Sequence, residues 1–203
     1  MQKSILLLIK RALNAPAGEA LEAAEALHAQ LHAAPIDIIR SLNRTLRRSS
    51  APLLRCDDIE RLGEGAAQDT LMGLATLQRS GRRRQAATCA LVTAQGRLTL
   101  GFLLWRLNDP FADIRADAEA ILTRRLPEWP VDDVRDCLPL VLALAELRHA
   151  AGSPVRAVLA ARLSDPADVL PALSSPDAQL RRAALTWSAA LCRGDVALSL
   201  IHI

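Results

Sequence analysis

Two histidines four residues apart, His28 and His32, stand on one face of any helix that contains them, a spacing able to hold a transition metal. A catalytic zinc site needs three protein ligands, and neither an H-E-x-x-H motif nor a nearby cysteine supplies the third, so two outward-facing histidines are the expected arrangement. The four cysteines, Cys56, Cys89, Cys137 and Cys192, are far apart and form no C-x-x-C pair. Each sits in an Ala/Leu-rich stretch, where a free thiol behaves as a small buried hydrophobe rather than as a disulfide partner or zinc ligand. No G-x-S-x-G, P-loop or G-x-G-x-x-G occurs, and Gly63 and Gly65 in "LGEGAAQ" are expected to permit close helix packing. No catalytic residue, metal ligand or cofactor is assigned.

Guanidinium chemistry is the richer signal. In residues 35–48, Ile36, Ile39, Leu42 and Leu46 mark one helical face, and Arg40, Arg44, Arg47 and Arg48 recur on another. With Arg82, Arg83 and Arg84 they are the candidate groups for a partner's anions, since a guanidinium fork matches carboxylate and phosphate oxygens. Such a stripe is ordinarily a solvated face. An acidic protein partner comes next, and nucleic acid after it. The net charge of +3 gives weak electrostatic capture, and aromatics for base stacking are only 2% of residues. Residues 1–97 hold 14 basic against 9 acidic residues, and residues 98–203 hold 11 against 13, so the excess lies in the first half.

The elements that must position these residues are helices. Hydrophobic residues are 51% of the chain, mostly Leu and Ala, and no alternating β-branched run appears. Breakers cut the chain into segments of helical length that open at Pro16, Pro35, Asp57-Asp58, Gly81, Gly96, Asp109-Pro110, "AGSP", "SDP" and "SSP". The segment from Asp57 is expected to run unbroken to about Ser80. At Asp109-Pro110 the aspartate would be the N-cap and the proline the first helical residue. Phe111, Ile114, Ala118, Ile121 and Leu122 then form one apolar stripe. Phe102, Trp105, Phe111 and Trp187 are expected in the core, and Trp129, between Pro127 and Pro130, is expected to be partly exposed.

The unit containing Arg115 recurs. "SPDAQLRRAALTWSAAL" repeats the scheme of "DPFADIRADAEAIL", and Arg181 lies 66 residues beyond Arg115, two units of 33. Arg148 in "LRHAA" marks the midpoint, although "SPVRAVLAARL" competes for that place, and Arg84 lies 31 residues earlier. "LLWRLNDPFADIRADAEAIL" and "LPALSSPDAQLRRAALTWSAAL" resemble HEAT-type helical repeats of the short bacterial form: an apolar helix, a D-P-type turn, then a helix opening with an apolar residue and arginine. The resemblance covers roughly residues 80–192. It implies an all-α fold, an α-solenoid of antiparallel helix pairs. It also implies a hydrogen-bonded ladder between stacked units, carried here by Asp109, Arg115 and Arg181, with Ser175 in place of the turn acid in the last unit.

Residues 1–79 are expected to form an amino-terminal helical region of divergent repeats or a cap, and residues 80–197 the HEAT-like array. The terminal "LSLIHI", residues 198–203, back-translates to a transposon end used in sequencing adapters, so it is expected to be non-native and the chain a fragment. The apolar run at residues 5–9 is too short for a signal core or a membrane span, so no membrane and a cytoplasmic location are expected. The resemblance implies a non-enzymatic scaffold binding another protein along its surface. A DNA-glycosylase-like array using the arginine stripe and a lyase-associated repeat protein are the alternatives.

Overall fold

The computed structural model describes residues 2–48 and 53–192; the segment 198–203 and the end of the 80–197 region lie outside them. All regular elements among the described residues are helical, and the fold is all-α. The first helix, α1 (Gln2–Asn14), buries Ile5, Ile9 and Ala12 and exposes the chain's two lysines, Lys3 and Lys10. Pro16 precedes α2 (Ala17–His32), whose Ala20, Ala23, Ala24, Leu27 and Leu31 form the stripe that meets α1. After the Pro35 turn, α3 (Ile38–Leu46) buries Ile38, Ile39, Leu42 and Leu46, much as its spacing predicts.

The long helix expected from Asp57 to Ser80 is instead two: α4 (Cys56–Glu60) and α5 (Ala66–Ala75). Gly63 at φ +80° and Gly65 at φ +145° make the break, in a region that side-chain-bearing residues avoid. A Cβ at either would meet nothing within 4 Å, so these glycines serve a turn and not close packing.

Thereafter come α6 (Gly81–Ala90), α7 (Arg97–Arg106), α8 (Ala112–Arg125), α9 (Val131–Asp136) and α10 (Leu138–Glu146). The last three are α11 (Val155–Arg162), α12 (Pro166–Val169) and α13 (Ala178–Cys192). One row of contacts links α2 to α5, α5 to α7, α7 to α10 and α10 to α13; a second links α4 to α6, α6 to α8 and α8 to α11. Because α5 and α6 pack on each other across positions 79 and 80, apolar packing continues through that boundary. No helix among the described residues is long and apolar enough to cross a membrane.

At the centre of the first row, α7 is buried on nearly every side: Leu98, Leu100, Phe102, Leu103 and Leu104 are each at most 4% exposed. Its approach to α5 depends on Gly73, where a Cβ would fall 2.0 Å from Phe102 Cδ2. Gly73→Ala should therefore cost about 1–3 kcal/mol of stability despite alanine's better helix propensity, as read by urea denaturation.

Two aromatics exchange their expected environments. Trp129 is 3% exposed, because the Arg125 guanidinium covers its ring at 4.7 Å and Arg162 donates to its carbonyl oxygen. Phe111 is 58% exposed and serves instead as a platform for Arg84, whose guanidinium carbon lies 5.5 Å from the ring centre. The expected stripe on α8 therefore starts at Ile114 rather than Phe111.

Candidate functional site

Burial of its apolar face against the core, α7 included, fixes the orientation of α3 and sends Arg40, Arg44 and Arg48 outward, where all three are exposed. Beside them opens a groove of 440 Å³ lined by Asp37, Arg40, Ser41, Asn43, Arg44 and Trp105. Two of its polar groups are held from within: Ser41 Oγ donates to the Ile38 carbonyl at 2.9 Å, and Asn43 Oδ1 accepts from Arg47 Nε at 3.2 Å. Trp105, from α7, is the half-buried aromatic wall.

Arg47 points the other way, toward the most buried charge cluster of the described residues. Asp109, 1% exposed, closes the turn between α7 and α8. Its Oδ1 accepts from Arg84 Nη2 at 2.8 Å and from the Phe111 amide at 3.1 Å. Its Oδ2 accepts from Arg84 Nε and from Arg106 Nη1, both at 2.7 Å, and Arg47 Nη2 stands 3.9 Å away. Burial alone would raise the Asp109 pKa, but the Arg84 hydrogen bonds, the Phe111 amide and the Arg106 charge together hold it below the ordinary carboxylate range. Burial likewise pushes Arg106 down to about 9, against the pull of Asp109, which still leaves it charged at neutral pH. For Arg47 the pKa is lowered by burial and then by the charge of Arg84. Three guanidiniums thus share one carboxylate.

This cluster separates the arginines that sequence placed together. Arg82 is exposed and Arg83 half-exposed on the first turn of α6, but Arg84 is 1% exposed. Besides gripping Asp109, Arg84 donates through Nη1 to the carbonyls of Gln78 and Arg79; with four of its five N–H donors engaged and the side chain buried, it is closed to an external anion. The reason is helical geometry: adjacent residues point about 100° apart, and the third arginine of the run falls on the core face.

The ladder also differs from the expected one. Arg115 does not meet the Asp109 carboxylate; it donates to the carbonyls of Asp109 (2.8 Å) and Pro110 (3.2 Å). Arg181 does the same with Ser175 (2.7 Å) and Pro176 (2.9 Å). Arg84 makes the equivalent pair of bonds, in each case to the carbonyls six and five residues earlier. Because the acceptor is backbone, Ser175 in place of an acid does no harm. Between them the role falls to Arg156, which donates to the Ala151 carbonyl, and not to Arg148, which is exposed in a turn. Arg115→Ala and Arg181→Ala should each cost about 1 kcal/mol, and Arg148→Ala near zero, in chemical denaturation.

Asp109 is not the N-cap: Phe111 holds that place and α8 begins at Ala112, two residues later than expected, while the Asp109 carboxylate accepts the Phe111 amide in the turn ahead of the helix. Arg106 and Trp105, which sequence reasoning did not single out as functional, sit in "LLWRLNDP" three and four positions before Asp109. The readable signal was Arg106, a charge directly after the apolar run of residues 100–105.

His28 and His32 do stack as neighbours, ring centres 5.6 Å apart, but His28 is half-buried. Thr70 Oγ1 spends its proton on the Ala66 carbonyl, so His28 Nδ1 donates into Thr70 Oγ1 at 2.7 Å. Burial, then the charge of His32, lowers the His28 pKa. A cavity of 220 Å³ adjoins the pair and also meets Arg97 and Asp133. Among the described residues no group of three metal-ligating side chains is close enough to hold an ion. Only Cys137 is fully buried; Cys56 is half-buried and Cys89 and Cys192 are exposed, so burial is not shared by all four thiols. Comparison with protein-family models, with curated proteins and with solved structures returns no match.

Proposed function

We propose that the chain is a helical-repeat scaffold of the HEAT-like kind, an α-solenoid of antiparallel helix pairs, and that it holds a partner protein along its surface without transforming a substrate. The observation that carries this reading is a set of four long-range hydrogen bonds that span nearly equal separations. Gln85 donates to Asp117, Arg125 to the Ala94 carbonyl, Arg162 to the Trp129 carbonyl and Arg135 to the Asp168 carbonyl. The separations are 32, 31, 33 and 33 residues. Contacts that return at one interval are what stacked copies of a unit of that length make. The arginine-to-turn bonds of Arg84, Arg115 and Arg181 mark the same units from within. A scaffold binds by area and by charge matching, so it needs no reactive residue.

The experiment is affinity capture with the full chain, followed by cross-linking and mapping of the contacts. Stoichiometric recovery of one protein, cross-linked to more than one helix pair, is the expected result. Recovery of no stoichiometric partner would overturn the scaffold reading. A second reading, nucleic-acid binding, is favoured by the exposed Arg40, Arg44, Arg48 and Arg82. A salt series with duplex DNA tests it: affinity falling steeply with salt supports it, and no binding at low salt eliminates it.

A further inference from the structure

The groove beside α3 has an unbalanced charge. Asp37 is the one carboxylate on its wall, and among the described residues neither Arg40 nor Arg44 pairs with an acid. Nearby, among the described residues, Arg47, Arg84 and Arg106 share Asp109 alone, and Arg106 Nε is buried with no acceptor. Positive charge is therefore in surplus both at the groove and behind it, while the indole of Trp105 gives the same groove an apolar wall.

We propose that this groove takes an acidic segment of the partner protein, one of whose carboxylates sits between Arg40 and Arg44 while a neighbouring apolar side chain lies on Trp105. Two arginines one helical turn apart are about 6 Å apart at Cβ, a separation from which both forks reach one carboxylate. Peptide is favoured over nucleic acid by Asp37. A duplex presents a phosphate charge about every 1.7 Å and would set several against that carboxylate, whereas a peptide can place a neutral or basic residue there. This assignment rests on the scaffold reading and names the chemistry of its partner.

Trp105 provides the readout, because Trp129 and Trp187 are only 3% and 1% exposed. The full chain is titrated with a short synthetic peptide of alternating Glu and Leu, with its Gln counterpart, and with a duplex oligonucleotide. The Glu peptide should bind in a salt-sensitive way and shift the tryptophan emission, and the Gln peptide should not. Arg40→Gln with Arg44→Gln should weaken the Glu peptide roughly tenfold or more. Both residues are exposed, so the variant should keep the wild-type circular dichroism. Trp105→Phe should abolish the emission change while a labelled Glu peptide still binds by fluorescence polarisation. Equal binding of Glu and Gln peptides, undiminished binding by the double variant, or tighter binding of the duplex would each overturn the assignment. A partner captured equally by wild type and double variant would overturn the groove and leave the scaffold standing. Failure to capture any stoichiometric partner would instead remove the scaffold.

Discussion

Asp109→Ala should cost about 3–5 kcal/mol of unfolding free energy, measured by urea denaturation at neutral pH. Among the described residues the substitution removes the one carboxylate that pairs with Arg84 and Arg106, both 1% exposed, and leaves two buried guanidiniums with no counter-charge there. Arg84 keeps its bonds to the Gln78 and Arg79 carbonyls, but among the described residues Asp109 is the only acceptor that Arg106 has, and its Nε already lacks one. A domain is stable by roughly 5–15 kcal/mol, so the loss is a large share of the whole. Adding Arg106→Met to Asp109→Ala should recover part of it, because a side chain of similar length without charge suits the emptied site. No recovery would place the cost in the lost turn bond to the Phe111 amide rather than in the stranded charge.

The same residue sets a response to acid. The folded-state pKa of Asp109 lies below its unfolded value of about 3.9, so its contribution is complete above that value and is lost as pH falls through the folded one. Stability measured from pH 5 downward should therefore decline in the wild type, and this component of the decline should be missing in Asp109→Ala. Unchanged acid dependence in the variant would show that other carboxylates carry it.

Trp187→Ala should cost about 3–5 kcal/mol, through the empty volume of the largest fully buried side chain on α13 and through its Nε1 bond to the Leu163 carbonyl at 2.9 Å. That bond ties α13 to the residue just beyond α11, and α10 is the other long helix against which α13 packs. In a stacked array each unit leans only on its neighbours, so hydrogen exchange should speed up first in α13 and α10 while α2, α5 and α7 keep their protection. Uniform loss of protection over all the helices would contradict a quasi-one-dimensional array.

The helices were legible in sequence because Leu and Ala stripes and proline-marked starts are local. The apolar face buried through Ile39, Leu42 and Leu46 of α3, and through Ile36 in the turn before it, was readable from spacing alone. The break at Gly63 and Gly65 was not, since the apolar pattern continues on both sides and only the positive φ values reveal the turn. Arg84 shows the other limit. Its neighbours Arg82 and Arg83 make it look like part of a surface run, and only Asp109, 25 residues away, decides that it is buried. Arg156, in the competing stretch "SPVRAVLAARL", could not be chosen over Arg148 from spacing: an arginine that caps a turn can keep its role while the spacing drifts, and counting by 33 favoured Arg148.

The composition of α1 has a practical consequence. With Lys3 and Lys10 both exposed there and no lysine elsewhere, side-chain amine chemistry addresses a single helix of the molecule. Coupling through amines would tether every molecule by its first helix and leave the guanidiniums of the α3 groove unmodified. A sensor surface built this way would present the molecules in one orientation, with Arg40, Arg44 and Trp105 chemically intact.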